Sequence, residues 1–315
     1  MNFILPFPIK KFTHQVNIKQ ALLLMGSCFA EEIGTKLEER KFNTVINPHG
    51  ILYNPVSICN ALTDYMQHKK YTPEDIFLHD ELWRSFNHHG KFSDTDANVC
   101  LENINHKITE AHLQLKEAKW LLITFGSAFA YTHNKQIVAN CHKLPSAQFE
   151  KILINKQQIT DAWQKQLATL KEFNPQLNIL FTVSPVRYIR DGVVENNRSK
   201  GILLDAVHTL IEQNTNCFYF PAYEIVIDEL RDYRFFKEDL VHPNHLAVNY
   251  VWQKFTDALC VEKTKNFMAD YESILKSLQH RDLQEGTTTS LKFKKQLEEK
   301  QAALKKKYPF VKALM

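Results

Sequence analysis

Short runs of consecutive apolar residues alternate along this chain with segments whose apolar positions recur every three or four residues. The first run, Ala21-Leu22-Leu23-Leu24-Met25, is followed at once by Phe29, Ile33 and Leu37, four apart on one helical face. Thr44-Val45-Ile46 is a shorter strand pattern, closed by Asn47-Pro48. Trp120 to Phe125 reads as a buried strand stopped at Gly126. Ile159, Trp163, Leu167 and Leu170 mark a helix, which leads into a strand from Leu177 to Val183 ending at Ser184-Pro185. Leu203, Leu204, Val207, Leu210 and Ile211 predict the next helix, and Cys217 to Phe220 the last strand. Val248, Val251, Trp252, Phe255 and Leu259 predict a final helix. Five strands with helices between them predict an α/β fold, a three-layer sandwich around a central parallel sheet. Ligands of such sheets bind beyond the carboxyl ends of the strands, and several polar clusters of this chain follow its predicted strands directly.

Two stretches depart from the pattern. Residues 71 to 119 contain Trp83, His88 and His89 and few periodic apolar positions before Leu101, which predicts an insertion beside the site, with a lid as one form of it. The predicted division is therefore a catalytic domain over 1–262, carrying that insertion, and a helical, charged tail over 263–315. Within the tail, residues 286 to 290 are linker-like, and Lys292 to Lys307 is rich in Lys, Glu and Gln. A solvated helix is the plain reading of that segment. The part beyond about residue 285 is expected to be dispensable for chemistry unless Leu291, Phe293, Leu297, Leu304 and Phe310 dock onto the domain or a second subunit.

Composition narrows the class. A chain of 315 residues with 44% hydrophobic and 23% charged residues is expected to be soluble and globular. Its formal net charge of +4 is small for this size and gives no reason to expect a nucleic-acid partner. The six cysteines, Cys28, Cys59, Cys100, Cys141, Cys217 and Cys260, form no CxxC pair, so reduced thiols in a cytoplasmic protein are expected. The opening MNFILPFPIKKF lacks a basic region ahead of its apolar stretch, which predicts neither a signal peptide nor an anchor. No membrane insertion is expected either, since the run from Ala21 to Met25 is far shorter than the ~20 residues a bilayer requires.

Gly26-Ser27-Cys28-Phe29-Ala30 sits between the first strand and the first helix. A serine there meets unpaired N–H groups that favour negative charge and can help hold an oxyanion. It also serves as an ordinary N-cap. Downstream, Asp239-Leu240-Val241-His242-Pro243-Asn244 places a carboxylate three residues before a histidine. On one turn the carboxylate can accept the Nδ1 proton and leave Nε2 as general base. The same pattern is common among surface polar residues, and His242 with His245 has a spacing that suits a metal, although no third ligand stands nearby.

GSCFA at 26 to 30 followed by DLVHPN at 239 to 244 resembles the GSCFA family, which is grouped with the SGNH/GDSL-like esterases and acyl hydrolases. The resemblance covers roughly residues 20 to 260. It extends to NPHGILYNP (47 to 55), TFGSAFAY (124 to 131), VANCHK (138 to 143), TVSPVR (182 to 187) and YFPAYE (219 to 224). It implies a flavodoxin-like sandwich, with Ser27 as nucleophile and Asp239 and His242 completing a triad. SGNH-like enzymes add an oxyanion hole built from the serine N–H, a glycine N–H after the second strand and an asparagine after the third. Gly50 suits the glycine role. Ser127 and Ala128 follow Gly126 where the wider pattern places asparagine, and Asn140 is the substitute donor.

Other candidates have two readings each. Cys28 is an alternative nucleophile or a packed thiol. Arg187 binds a substrate anion or forms a structural ion pair. Asn54 and Gly126 are expected to contact substrate; Tyr53, Tyr223 and Glu224 line the cleft or serve turns and core edges. His49 and His142 are catalytic helpers or hydrogen-bonded structural histidines. The expected function is a serine esterase or acyl hydrolase acting on a small-molecule or glycan ester. The alternatives are an O-acyltransferase with the same triad and a non-catalytic small-molecule- or glycan-binding protein. No cofactor is expected, since the eight glycines include no phosphate-cradling arrangement.

Overall fold

The computed structural model describes residues 5–279 and 287–310. In chain order the larger elements begin with β1 (Ala21–Gly26), α1 (Cys28–Glu39), β2 (Asn43–Ile46) and α2 (Pro55–Gln67). A hairpin, β3 (Phe77–His79) and β4 (Leu82–Arg84), precedes α3 (Ala97–Glu117) and β5 (Trp120–Phe125). Then come β6 (Phe129–His133), β7 (Gln136–Val138), β8 (Glu150–Leu153), α4 (Lys156–Phe173) and β9 (Asn178–Val183). The chain continues through α5 (Gly192–Gln213), β10 (Cys217–Tyr219), the short α6 (Ala222–Glu224), α7 (His245–Leu259), α8 (Glu262–Gln279) and α9 (Thr288–Lys307).

Five strands form one parallel sheet in the order β10-β9-β5-β1-β2. Counted by themselves they run 2-1-3-4-5, the flavodoxin-like order. β1 and β5 are buried at every position, which explains their uninterrupted apolar sequences. Alternate residues divide between the two faces. Leu23, Met25, Leu121, Ile123 and Phe125 join a core with α2, α3, α4 and α5. Leu22, Leu24, Trp120 and Leu122 join a second core with α1, α7 and α8. The result is the three-layer sandwich expected from the sequence, and all five expected strands are in its sheet. No helix among the described residues is long and apolar enough to cross a membrane.

Several elements differ from expectation. The stretch 71 to 119 is not one insertion: its second half is α3, a layer helix burying Cys100, Leu101, Ile104, Ile108, Ala111 and Leu115. Only the part before it is irregular, holding the β3-β4 hairpin. A three-stranded antiparallel sheet, β7-β6-β8, stands apart from the main one. Its strands are short and mixed in polarity, so they carry no buried-strand signal. Thr287 is not linker but the N-cap of α9, its hydroxyl accepting from Ser290 N–H; Gly286 lies outside the described residues. Along most of its length α9 is exposed, yet Leu304 and the following Tyr308 are buried in the second core beside Phe267 and Tyr271. The tail therefore docks instead of remaining wholly solvated.

Candidate active site

The turn from β1 into α1 is built around Gly26. Its φ of 131° and the 2.1 Å that would separate an added Cβ from the Thr124 carbonyl oxygen exclude any side chain. Asn47 Oδ1 accepts the Gly26 N–H at 2.8 Å, and the Gly26 carbonyl accepts from Leu52 N–H at 3.0 Å. Ser27 follows in extended backbone as the N-cap of α1, its Oγ accepting from Phe29 N–H at 3.3 Å. Its own N–H donates to Thr124 O at 3.1 Å. Ser27 is thus a cap and is also the residue that the turn presents at the carboxyl edge of the sheet, where it lines a cavity of about 690 Å³. Cys28 lines it too, but burial, followed by the fields of Glu32 and Glu31, pushes its thiol up. It stays protonated, which disfavours it as the nucleophile.

The second cluster folds as one turn before α7. Asp239 Oδ2 meets His242 Nδ1 at 2.7 Å, while Oδ1 accepts the N–H groups of Val241 at 2.9 Å and His242 at 3.0 Å. Those two backbone donors, His242 first, and then the His242 ring hold the Asp239 carboxyl at about 2. Arg187 grips the same turn: its Nη1 donates to Leu240 O at 2.9 Å and its guanidinium lies 4.0 Å from the Phe236 ring centre. His242 lines the cavity with Ser27. Asp239 borders an adjoining one of about 310 Å³, to which His242, Cys28 and Val186 are also common. No hydrogen bond joins Ser27 Oγ to His242 among the described residues.

The remaining candidates separate. Asn54, Gly126, Asn140 and Arg187 line the cavity; Gly50 does not. Gly50 N–H donates to Asn47 O at 2.7 Å, and its α-carbon is pressed against His89. Gly126 N–H and Ser127 N–H both donate to Tyr53 O, at 2.8 and 3.0 Å. The backbone donors of Ser27, Gly50, Gly126 and Ser127 are therefore all committed. Two donors at the cavity without a hydrogen-bond partner among the described residues are the Cys28 N–H at the helix end and the Asn140 Nδ2. Asn140 Oδ1 accepts His142 N–H at 2.8 Å, and Phe86 O accepts Asn140 N–H at 3.2 Å, so the segment before α3 helps to place it. Asn54 caps α2, its side chain satisfied by Ser57.

His142 Nε2 meets Ser85 O at 2.7 Å and His49 sits between Tyr65 and Asp64, so both rings are structurally engaged. Tyr53 lines the cavity, whereas Glu224 pairs with the Tyr219 hydroxyl away from it. His245 does not line the cavity with His242, and no cluster of three His, Cys, Asp or Glu among the described residues could hold a metal. Sequence reasoning missed Lys200. It is 1% exposed on α5, and its Nζ bridges Gly126 O at 2.7 Å and Ser184 O at 2.6 Å, under the ends of β5 and β9. The one available signal was its helical spacing with Asn196, Ser199 and Leu203, on the face that α5 buries. Such a lysine is indistinguishable in sequence from one at a stripe's solvated edge.

Compared with family models, the chain matches the GSCFA family over residues 21–255. That span runs from β1 into α7 and contains Ser27, Asp239 and His242. No curated protein matches the chain.

Proposed function

This chain belongs to the GSCFA family, and on that premise we propose that it is a serine esterase or acyl hydrolase, similar to the SGNH/GDSL-like enzymes, cleaving an ester through an acyl-Ser27 intermediate. One observation carries the reading: a buried serine at a helix amino terminus shares a cavity with a histidine whose Nδ1 is held by a carboxylate at 2.7 Å. In the proposed reaction His242 Nε2 takes the Ser27 hydroxyl proton as Oγ attacks the ester carbonyl. Cys28 N–H and Asn140 Nδ2 hold the oxyanion. Collapse of the intermediate expels the alcohol, which receives that proton from His242. Water then attacks the acyl-serine by the same route, releasing the acid and restoring Ser27. Asp239 keeps the imidazole in the required tautomer and stabilises its charged form. Catalytic hydrogen bonds are often long before substrate binds, so closure of His242 onto Ser27 belongs to the binding step. Six free thiols support a reducing, cytoplasmic setting.

A fluorophosphonate label on purified protein tests the assignment. It should attach to the Ser27 peptide, and Ser27→Ala should abolish both labelling and hydrolysis of 4-nitrophenyl acetate. Asp239→Asn should lower kcat by a smaller factor, on the order of 10⁴ against 10⁶ for loss of the nucleophile. Labelling that survives Ser27→Ala and disappears in Cys28→Ala would make the thiol the nucleophile and end this reading.

A further inference from the structure

Three cationic side chains, Lys143, Arg187 and Arg190, line the cavity shared by Ser27 and His242, and no aspartate or glutamate does. With a net charge of only +4 on the whole chain, this one-sided lining is not a reflection of composition. Among the described residues none of the three forms an ion pair. Nearby Lys151, by contrast, is paired with Asp191. Two segments supply the cations. Lys143 ends a left-handed pair with His142, at φ 61° and 49°, in the turn that Asn140 Oδ1 caps. Arg187 and Arg190 lie in the loop after β9. Arg190 lines the same cavity as Cys141 and Lys143 of that turn. Arg187 spends one donor on Leu240 O, and a guanidinium has five. Much of the remaining wall is apolar or aromatic, including Phe129, Tyr131, Phe149 and Tyr188.

Unpaired cations in a walled cleft draw anions and bind carboxylate or phosphate by charge-assisted hydrogen bonds. We propose that the ester cleaved here carries an anionic group, a carboxylate or a phosphate, on an otherwise apolar or aromatic body, and that Lys143, Arg187 and Arg190 bind that group. The inference rests on the esterase reading of the same cavity, and its test separates the two. Calorimetry on the intact protein compares glutaranilic acid, phenyl phosphate and neutral hexananilide, none of which requires turnover to be read. At least one anion should bind about ten-fold tighter than the neutral anilide, with the preference shrinking as salt is added. The stronger of the two anions tells carboxylate from phosphate. Arg190→Gln combined with Lys143→Gln should cut the preference several-fold, leaving what Arg187 holds, while Lys165→Gln on the outer surface of α4 should leave it intact. Equal binding of all three ligands, or a preference undiminished by the double substitution, overturns the proposal. Fluorophosphonate labelling of the same preparations reports separately on Ser27. Labelling without anion preference removes this inference alone, and anion preference without labelling removes the esterase reading and leaves only an anion-binding cavity.

Discussion

Lys200 Nζ lies beneath the cleft with two backbone carbonyls as its partners, one at the end of each of two neighbouring strands. Its carbon stem is enclosed as fully as a core leucine. Burial pushes its amine from 10.5 down to about 7. The sign of the consequence follows from proton counting. Between about 7 and 10.5 the unfolded chain holds a proton on this amine that the native protein lacks, so its contribution makes stability rise with pH there. Below 7 both states are charged and the slope vanishes. Buried thiols such as Cys59 and Cys217, pushed up by burial, act in the opposite sense, so the contribution is read as a difference. Urea unfolding of wild type should gain up to about 1.4 kcal/mol per pH unit relative to Lys200→Met across pH 7 to 10. Parallel profiles for the two proteins would show that the amine stays charged in place.

At the scale of elements, the joint between β1 and α1 determines whether Ser27 can act at all. Gly26 is held by Asn47 and Leu52 from the segment after β2, and its α-carbon abuts Thr124 in β5. Three segments remote in sequence thus meet on one residue. Gly26→Ala combines a disfavoured positive φ, costing about 1–3 kcal/mol, with an overlap that only movement of β5 could relieve. The expected result is a lower melting temperature together with lost fluorophosphonate labelling of Ser27. A variant that melts and labels like wild type would mean that the turn can be rebuilt without the glycine. The serine and its capping role were legible from sequence because they lie within one short motif. Asn47, which looked like a strand terminator, proves to be a strut for that motif.

Across the whole molecule, the two faces of the sheet carry separate cores of different origin. One is closed by α2 to α5, from the middle of the chain. The other joins α1 to α7 and α8 and finishes with Leu304 and Tyr308 of the tail. The Tyr308 hydroxyl and Lys307 Nζ also share Asp270 on α8, at 2.6 Å each. Leu304→Ala should therefore cost about 2–4 kcal/mol in a urea melt. The labelling rate of Ser27, measured well below both melts, should be unaffected, because Leu304 does not line the cavity. An unchanged urea midpoint would return the tail to the solvated role its composition suggests.

The amino-acid sequence by itself determined the central sheet. Strands buried on both faces must be apolar without interruption, and nothing else in the chain satisfies that condition so plainly as Ala21 to Met25, Trp120 to Phe125 and Leu177 to Val183. It also determined the Asp239–His242 pairing, because three residues on one turn bring those side chains together with little help from the rest of the fold. Only the tertiary structure decided which donors remain at the cavity. Gly50 has the composition of an oxyanion donor, but the Asn47 carbonyl consumes its N–H, and the Ser27 N–H goes to a carbonyl on another strand. Lys200 became a buried amine because two strand ends converge on it. Arg187 became the clamp of the base loop, and Lys143 and Arg190 came to face one cavity, through the placement of the small antiparallel sheet and the β9 loop. Each of these depends on distances between segments remote in sequence, and neither periodicity nor motif spacing encodes such distances.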